Sequence, residues 1–147
     1  MTFALDISKF IKKTDAKINQ TVREVIVSVA SSLVELSPVG QKAIWKNPKS
    51  APKGYVGGHF RANWQHGFGS YSEEEIAAID PGGQITKQRI KADVQAAPVA
   101  GKHYIVNNVP YAEALENGHS TQAPGPEAIV GKTILLFDRM AKAAGAA

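Results

Sequence analysis

Residues Asp15–Leu36 read DAKINQTVREVIVSVASSLVEL, and the spacing of their apolar members decides the fold. Ile18, Val22, Val25, Ile26, Val29, Leu33 and Leu36 recur at steps of three and four, which gathers them on one side of an α-helix. Asp15 is placed to cap its start. Ser37-Pro38 ends it, because a proline biases its predecessor away from helical backbone. A shorter amphipathic turn precedes it, with Ile7, Phe10 and Ile11 opposite Lys9, Lys12 and Lys13. A helix with one long apolar stripe needs a second layer, which the rest of the chain must provide.

Working outward, SPVGQKAIWKNPKSAPKGYVGG (38–58 with its leading serine) is rich in proline and glycine and reads as a long basic loop. Loops of this length inside a compact domain are usually functional or disordered. Trp45 and Tyr55 argue against disorder: they either fold the loop back on the body or await a partner. HFRANWQHGFG, from His59 to Gly69, alternates Phe60, Ala62 and Trp64 against Arg61, Asn63 and Gln65, the pattern of a half-buried strand. IDPGGQITKQRIKADVQAA opens on a turn and continues as a helix with Ile85, Ile90 and Val94 near one face. His103–Asn107 is a second short strand. A last helix is expected from about Glu127 to Ala143, with Ile129, Thr133, Leu136, Phe137 and Met140 at core spacing, and 144–147 is a frayed end. Strands too few to alternate with helices exclude a doubly wound sheet. The reading is a single small α+β domain over 1–147, its long helix packed on a short, mostly antiparallel sheet.

Length and composition narrow the function. A chain of 147 residues is sized for one core, and with no cysteine it has no disulfide framework, which fits a reducing cytosol. Its start lacks the layout of a secretory signal, and its apolar runs are far short of a membrane span, so a soluble protein is expected. The net charge of +4 is unevenly placed. Lys42, Lys46, Lys49, Lys53 and Arg61 lie between Ser37 and His66 with no acidic residue. Glu73, Glu74, Glu75 and Asp80 then follow with no base. Such segregation suits nucleic acid, a complementary protein surface, or simple solvation.

Chemistry has few footholds. Glu113 and Glu116 are three apart on a helical turn, near enough to share a proton or metal, yet they fall opposite Ala112 and Leu115, where solvated charges belong. His59, His66, His103 and His119 contain no pair at ligand spacing for a helix, and no cysteine assists. His119 and Ser120 are adjacent, which is not triad geometry, and no nucleophile elbow or phosphate loop occurs. No catalytic, metal or cofactor site is expected, so the protein is read as a non-enzyme. Basic residues interleaved with Trp45, Tyr55, Phe60 and Trp64 keep open a single-stranded nucleic-acid-binding module.

Several stretches taken together, SPVG…GYVGGHFRANW, IDPGG and YIVNNVPYAEALENGHSTQAPGP, with the long first helix, resemble the head–tail joining and tail-completion proteins of long-tailed bacteriophages, grouped as neck or minor tail proteins. In that pattern a Pro-Val turn after the first helix leads to a basic strand ending in an aromatic, here Trp64. A strand with Asn-Asn and a Tyr-Ala…Glu-x-Gly segment come later. Tyr111, Ala112, Leu115, Glu116, Gly118, Ser120, Gln122, Ala123 and Pro124 hold those positions. The resemblance covers roughly residues 15 to 140. It implies a virion structural protein without a cofactor, made in the host bacterial cytoplasm. Such proteins form a cyclic ring, a hexamer in the family, between head connector and tail tube, with DNA passing through. A tail terminator is the neighbouring reading.

On that view Lys42, Trp45, Lys46, Lys49, Lys53, Tyr55, Glu73, Glu74, Glu75 and Glu116 are the candidate contacts with partners or other copies. Trp64, Tyr111, Leu115, Gly118 and Pro124 build the motif. Tyr111 and Leu115 are expected to pack inward, Gly118 to cap the turn in a left-handed conformation, and STQAPGP to run extended. Glu116 is expected to bond nearby backbone, or an arginine across an interface.

Overall fold

A computed structural model describes residues 1–6 and 16–145. Asp15 and the turn around Ile7, Phe10 and Ile11 lie outside the described residues, as do the last two of the frayed end. The chain runs β1 (Thr2–Asp6), α1 (Ala16–Leu36), α2 (His59–Ala62), β2 (Trp64–Phe68), α3 (Gln84–Ala96), β3 (Lys102–Asn107), α4 (Ala112–Glu116) and α5 (Val130–Ala143). The three strands form one antiparallel sheet in the order β1-β3-β2, with Phe3 opposite Ile105 and His66 opposite Ile105 on the other side.

The apolar stripe of α1 is the centre of the core. Ile26, Val29, Leu33 and Val34 are buried with Phe3, Trp64 and Ile105 from the sheet, Ile90 and Val94 from α3, and Ile129 at the start of α5. Ile18, at the open end of the stripe, stays 39% exposed. The C-terminal helix packs on α1, where the buried hydroxyls of Ser32 and Thr133 meet at 2.9 Å. Ser37 is more than a helix stop. Its hydroxyl donates to the Leu33 carbonyl at 2.6 Å and accepts from the Trp64 indole at 2.7 Å, so the buried indole keeps its one polar partner. Emptying a fully buried aromatic site of this kind costs about 3–5 kcal/mol.

Four expectations change. β1 was not foreseen; it is five residues long, and Phe3 is its one buried apolar side chain among those described. His59–Gly69 is not one strand: its first part is the helical turn α2, and only Trp64–Phe68 is extended. Phe60 and Trp64 are four apart, a spacing that puts both inward on a helical turn and on a strand alike. In α3, Ile85 is 67% exposed, and Thr86 takes its place under Ile90 and Val94. Thr86 is buried because Asp80, itself buried, accepts from its amide and its hydroxyl, both at 2.8 Å, and from the Gly83 amide at 3.0 Å. Last, residues 120–123 make a tight turn instead of running extended, closed by the Ala123 amide on the Ser120 carbonyl at 3.2 Å.

Candidate functional site

The long loop returns to the body. Residues 42–44 and 48–50 form short 3-10 turns, and Trp45 meets Tyr55 edge-on at 4.9 Å. The base of the loop is closed by two glycines: a Cβ added at Gly57 would collide with the Gly40 carbonyl. Gln122 staples the same base from outside. Its carbonyl accepts from the Val39 amide at 3.0 Å and its amide donates to the Val39 carbonyl at 2.7 Å, as a neighbouring strand would.

Between this loop and the 111–122 segment lies a groove of about 750 Å³. Phe60 and Leu115 line it from the body, Ile44, Trp45 and Tyr55 from the loop, and Tyr111, His119 and Gln122 from the motif. Tyr111 does not pack inward as expected. It stays 44% exposed over the groove, with its ring 6.2 Å from that of Phe60, and Ala112 is the residue that enters the core. Leu115 is half-buried against the core. Burial pushes the Tyr111 hydroxyl above its ordinary pKa, and Glu75 and Tyr55 push it the same way.

The motif holds the groove's wall through two devices. Gly118 follows α4 with φ +83°; its amide bonds the Leu115 carbonyl at 3.2 Å, and the His119 amide bonds the Ala114 carbonyl at 3.1 Å. This is a Schellman cap, and any side chain at Gly118 would also strike the backbone of Gly125. Glu116 points at the first turn of α5. Its carboxylate accepts from the amides of Ile129 and Val130 at 2.9 Å and of Gly131 at 3.0 Å, and its carbonyl accepts from Ala128. A helix start has unpaired amides and a positive dipole end, so a carboxylate there satisfies both. Glu116 is therefore bonded to backbone of its own chain. Pro124 is exposed, and Trp64 is wholly buried.

The acidic segment 70–79 has no regular structure but is firmly held as a strap. The Asn63 side chain accepts from the Ile76 amide at 2.8 Å and donates to the Ile76 carbonyl at 3.0 Å. Gln65 and Asn108 both donate to the Glu74 carbonyl, at 2.8 and 2.9 Å, and Asn108 also holds Ser72. Glu75 bonds the His59 ring, which in turn bonds the Ala78 carbonyl. Glu73, Glu74 and Glu75 are exposed on the strap, and Lys46, Lys49 and Lys53 are exposed on the loop. The strap reaches the groove through the Glu75 bond to His59, which lines it, and the basic loop lines the groove with Ile44, Trp45, Lys46 and Tyr55.

Other charges serve the fold. Arg61, counted with the basic loop in the sequence, donates to the carbonyls of Pro81 and Ser37, both at 2.7 Å. Arg89 donates to Ala62 and Trp64, Arg23 to Val94 and Ala97, and Lys87 pairs with Glu35. Of the carboxylates weighed as chemistry, Glu113 is exposed and Glu116 is engaged as above. His66 and His103 meet at 2.9 Å, and His103 bonds the Val99 carbonyl with its other nitrogen. Burial holds both rings below the ordinary histidine pKa. For His66 a neighbouring His103 charge adds to this, and for His103 the charge of Arg23 does. Among the described residues no group of three or more His, Cys, Asp or Glu side chains gathers as a metal site, and no helix is long and apolar enough to cross a membrane. Compared with known proteins, the chain matches no family model, no curated protein and no solved structure.

Proposed function

We propose that the protein is a non-enzymatic structural component of a long-tailed phage virion, acting at the neck. Copies assemble as a cyclic ring between head connector and tail tube, completing the tail and joining it to the filled head. It is made in the host bacterial cytoplasm and works without a cofactor. The observation that carries the reading is the groove. An aromatic-lined cleft carries the exposed Lys46 on its loop side and is linked through His59 to an exposed acidic strap, while Arg23, Arg61, Arg89 and Glu116 are turned to backbone of their own chain. Grooves with aromatic floors and polar rims are docking surfaces, and opposite charges on one chain favour a head-to-tail contact that closes into a ring. The nucleic-acid alternative is weakened because Trp64, one of the aromatics it needs, is wholly buried and closed to a base.

Negative-stain microscopy of lysate from a phage lacking this gene tests the proposal. DNA-filled heads beside separate tails of normal length are expected. Overlong tails would make the protein a tail terminator, and intact infectious particles would end the virion reading.

A further inference from the structure

We infer that the groove receives a second copy of this chain, which docks through its acidic strap. The inference rests on the ring reading above and names the surfaces by which copies meet. Lys46, Lys49 and Lys53 are exposed, and among the described residues none of their ammonium groups has a hydrogen bond or ion pair. The carboxylates of Glu73 and Glu74 stand in the same condition on the strap. Each set is the complement of the other, yet one molecule does not bring them together. Asn63, Gln65 and Asn108 fix the strap's backbone to its own sheet, and Gln122 with the Gly40–Gly57 contact fixes the loop. Water solvates both sets in the single molecule, and a protein counter-charge for either is supplied by another molecule.

A second copy supplies both charge and apolar surface. The strap carries exposed Tyr71 and Ile79, 41% and 55%, alongside its glutamates. The groove is concave, lined by Ile44, Trp45, Tyr55 and Phe60 with Lys46 on its loop side, and Lys49 and Lys53 are exposed further along the same loop. Apolar contact at the centre with charge pairs at the rim is the usual anatomy of a specific interface. Because the receiving surface and the entering surface differ, the contact is heterologous, and each copy uses both once. Rim charges chiefly set the association rate and its salt dependence, so assembly should weaken as salt screens them.

The test uses the full chain. One variant carries Lys46→Glu, Lys49→Glu and Lys53→Glu, the other Glu73→Lys and Glu74→Lys; these are exposed positions, and circular dichroism verifies folding. In sedimentation velocity at low salt, each variant alone should associate at least about tenfold more weakly than the wild type, and the equal mixture should recover, because both contacts are again complementary. A contact too weak to sediment is caught covalently. The chain has no cysteine, so Lys49→Cys and Glu73→Cys variants, mixed and oxidised, should form the mixed disulfide, while Lys49→Cys alone should not pair with itself. The absence of a mixed disulfide, or charge variants that associate as tightly as a wild type that sediments as an oligomer, would overturn the inference. So would a closed dimer as the largest species, or an oligonucleotide bound by the lysines with no cross-link. Separate heads and tails in the gene knockout alongside such a failure would leave the neck role standing and remove only this contact.

Discussion

At the scale of single residues, Glu116 and Gly118 are the positions where one atom matters. Glu116→Gln exchanges one carboxylate oxygen for an NH2, which must face either the Gly131 amide or the amides of Ile129 and Val130. Two donors then confront each other, and the charge that favoured the helix start is gone. We expect a loss of about 1–3 kcal/mol, read as a lower urea midpoint with an unchanged m-value. An unchanged midpoint would refute the capping role. Gly118→Ala combines a left-handed backbone, about 1–2 kcal/mol for an L-residue, with a collision against Gly125. Gly118→Asn separates the two effects, since asparagine tolerates the left-handed region but still carries a Cβ. If the collision matters, Asn recovers only part of the alanine loss in thermal melts; full recovery would assign the whole effect to backbone conformation.

At the scale of elements, the long loop is held by few bonds, and Gln122 makes two of them. Gln122→Ala should therefore leave the melting temperature within a few degrees while trypsin cleaves the loop several-fold faster. A loop as resistant as the wild type would show that the aromatic pair alone suffices. This division of labour also explains what the sequence disclosed. The stripe of α1, the α5 core positions and the Gly118 cap were legible because helical spacing and a left-handed glycine are local signals. The α2 turn was not, since Phe60 and Trp64 satisfy both periods at once. The strap was visible only as a charge run, because its anchors Asn63 and Asn108 sit 13 and 34 residues from the groups they bind. The partner of Glu116 was hidden for the same reason: α5 begins beyond a proline turn that no periodicity spans. The groove itself joins residues from the loop, α2 and the 111–122 segment, and only the folded chain brings them together.

At the scale of the whole molecule, the charges fix how stability follows pH. His66 and His103 are held below the ordinary histidine value of 6.5, so below it the unfolded chain takes up protons that the folded chain refuses. Stability is fully present above 6.5 and declines as pH falls through the window below it. At Asp80 burial raises the pKa, but the hydrogen bonds from Thr86, Gly83 and Ile85 outweigh it and the net shift is downward. Its unfolded carboxyl protonates first, so a second loss begins as pH drops below about 3.8. The urea midpoint should thus fall on acidification from about pH 7 to pH 5, and His66→Phe should flatten that slope even while lowering the midpoint overall. A slope unaltered in the variant would remove the histidine pair from the account. The side-chain amides carry a different consequence, one of time. Gln65, Asn108 and Gln122, none of them buried, donate to backbone carbonyls of the strap and of the loop base. Amides hydrolyse slowly in water, and each loss of ammonia leaves an acceptor where a donor was needed. A stored preparation should age from the outside inward, releasing strap and loop while its core of Trp64, Leu33 and Ile129 stays intact.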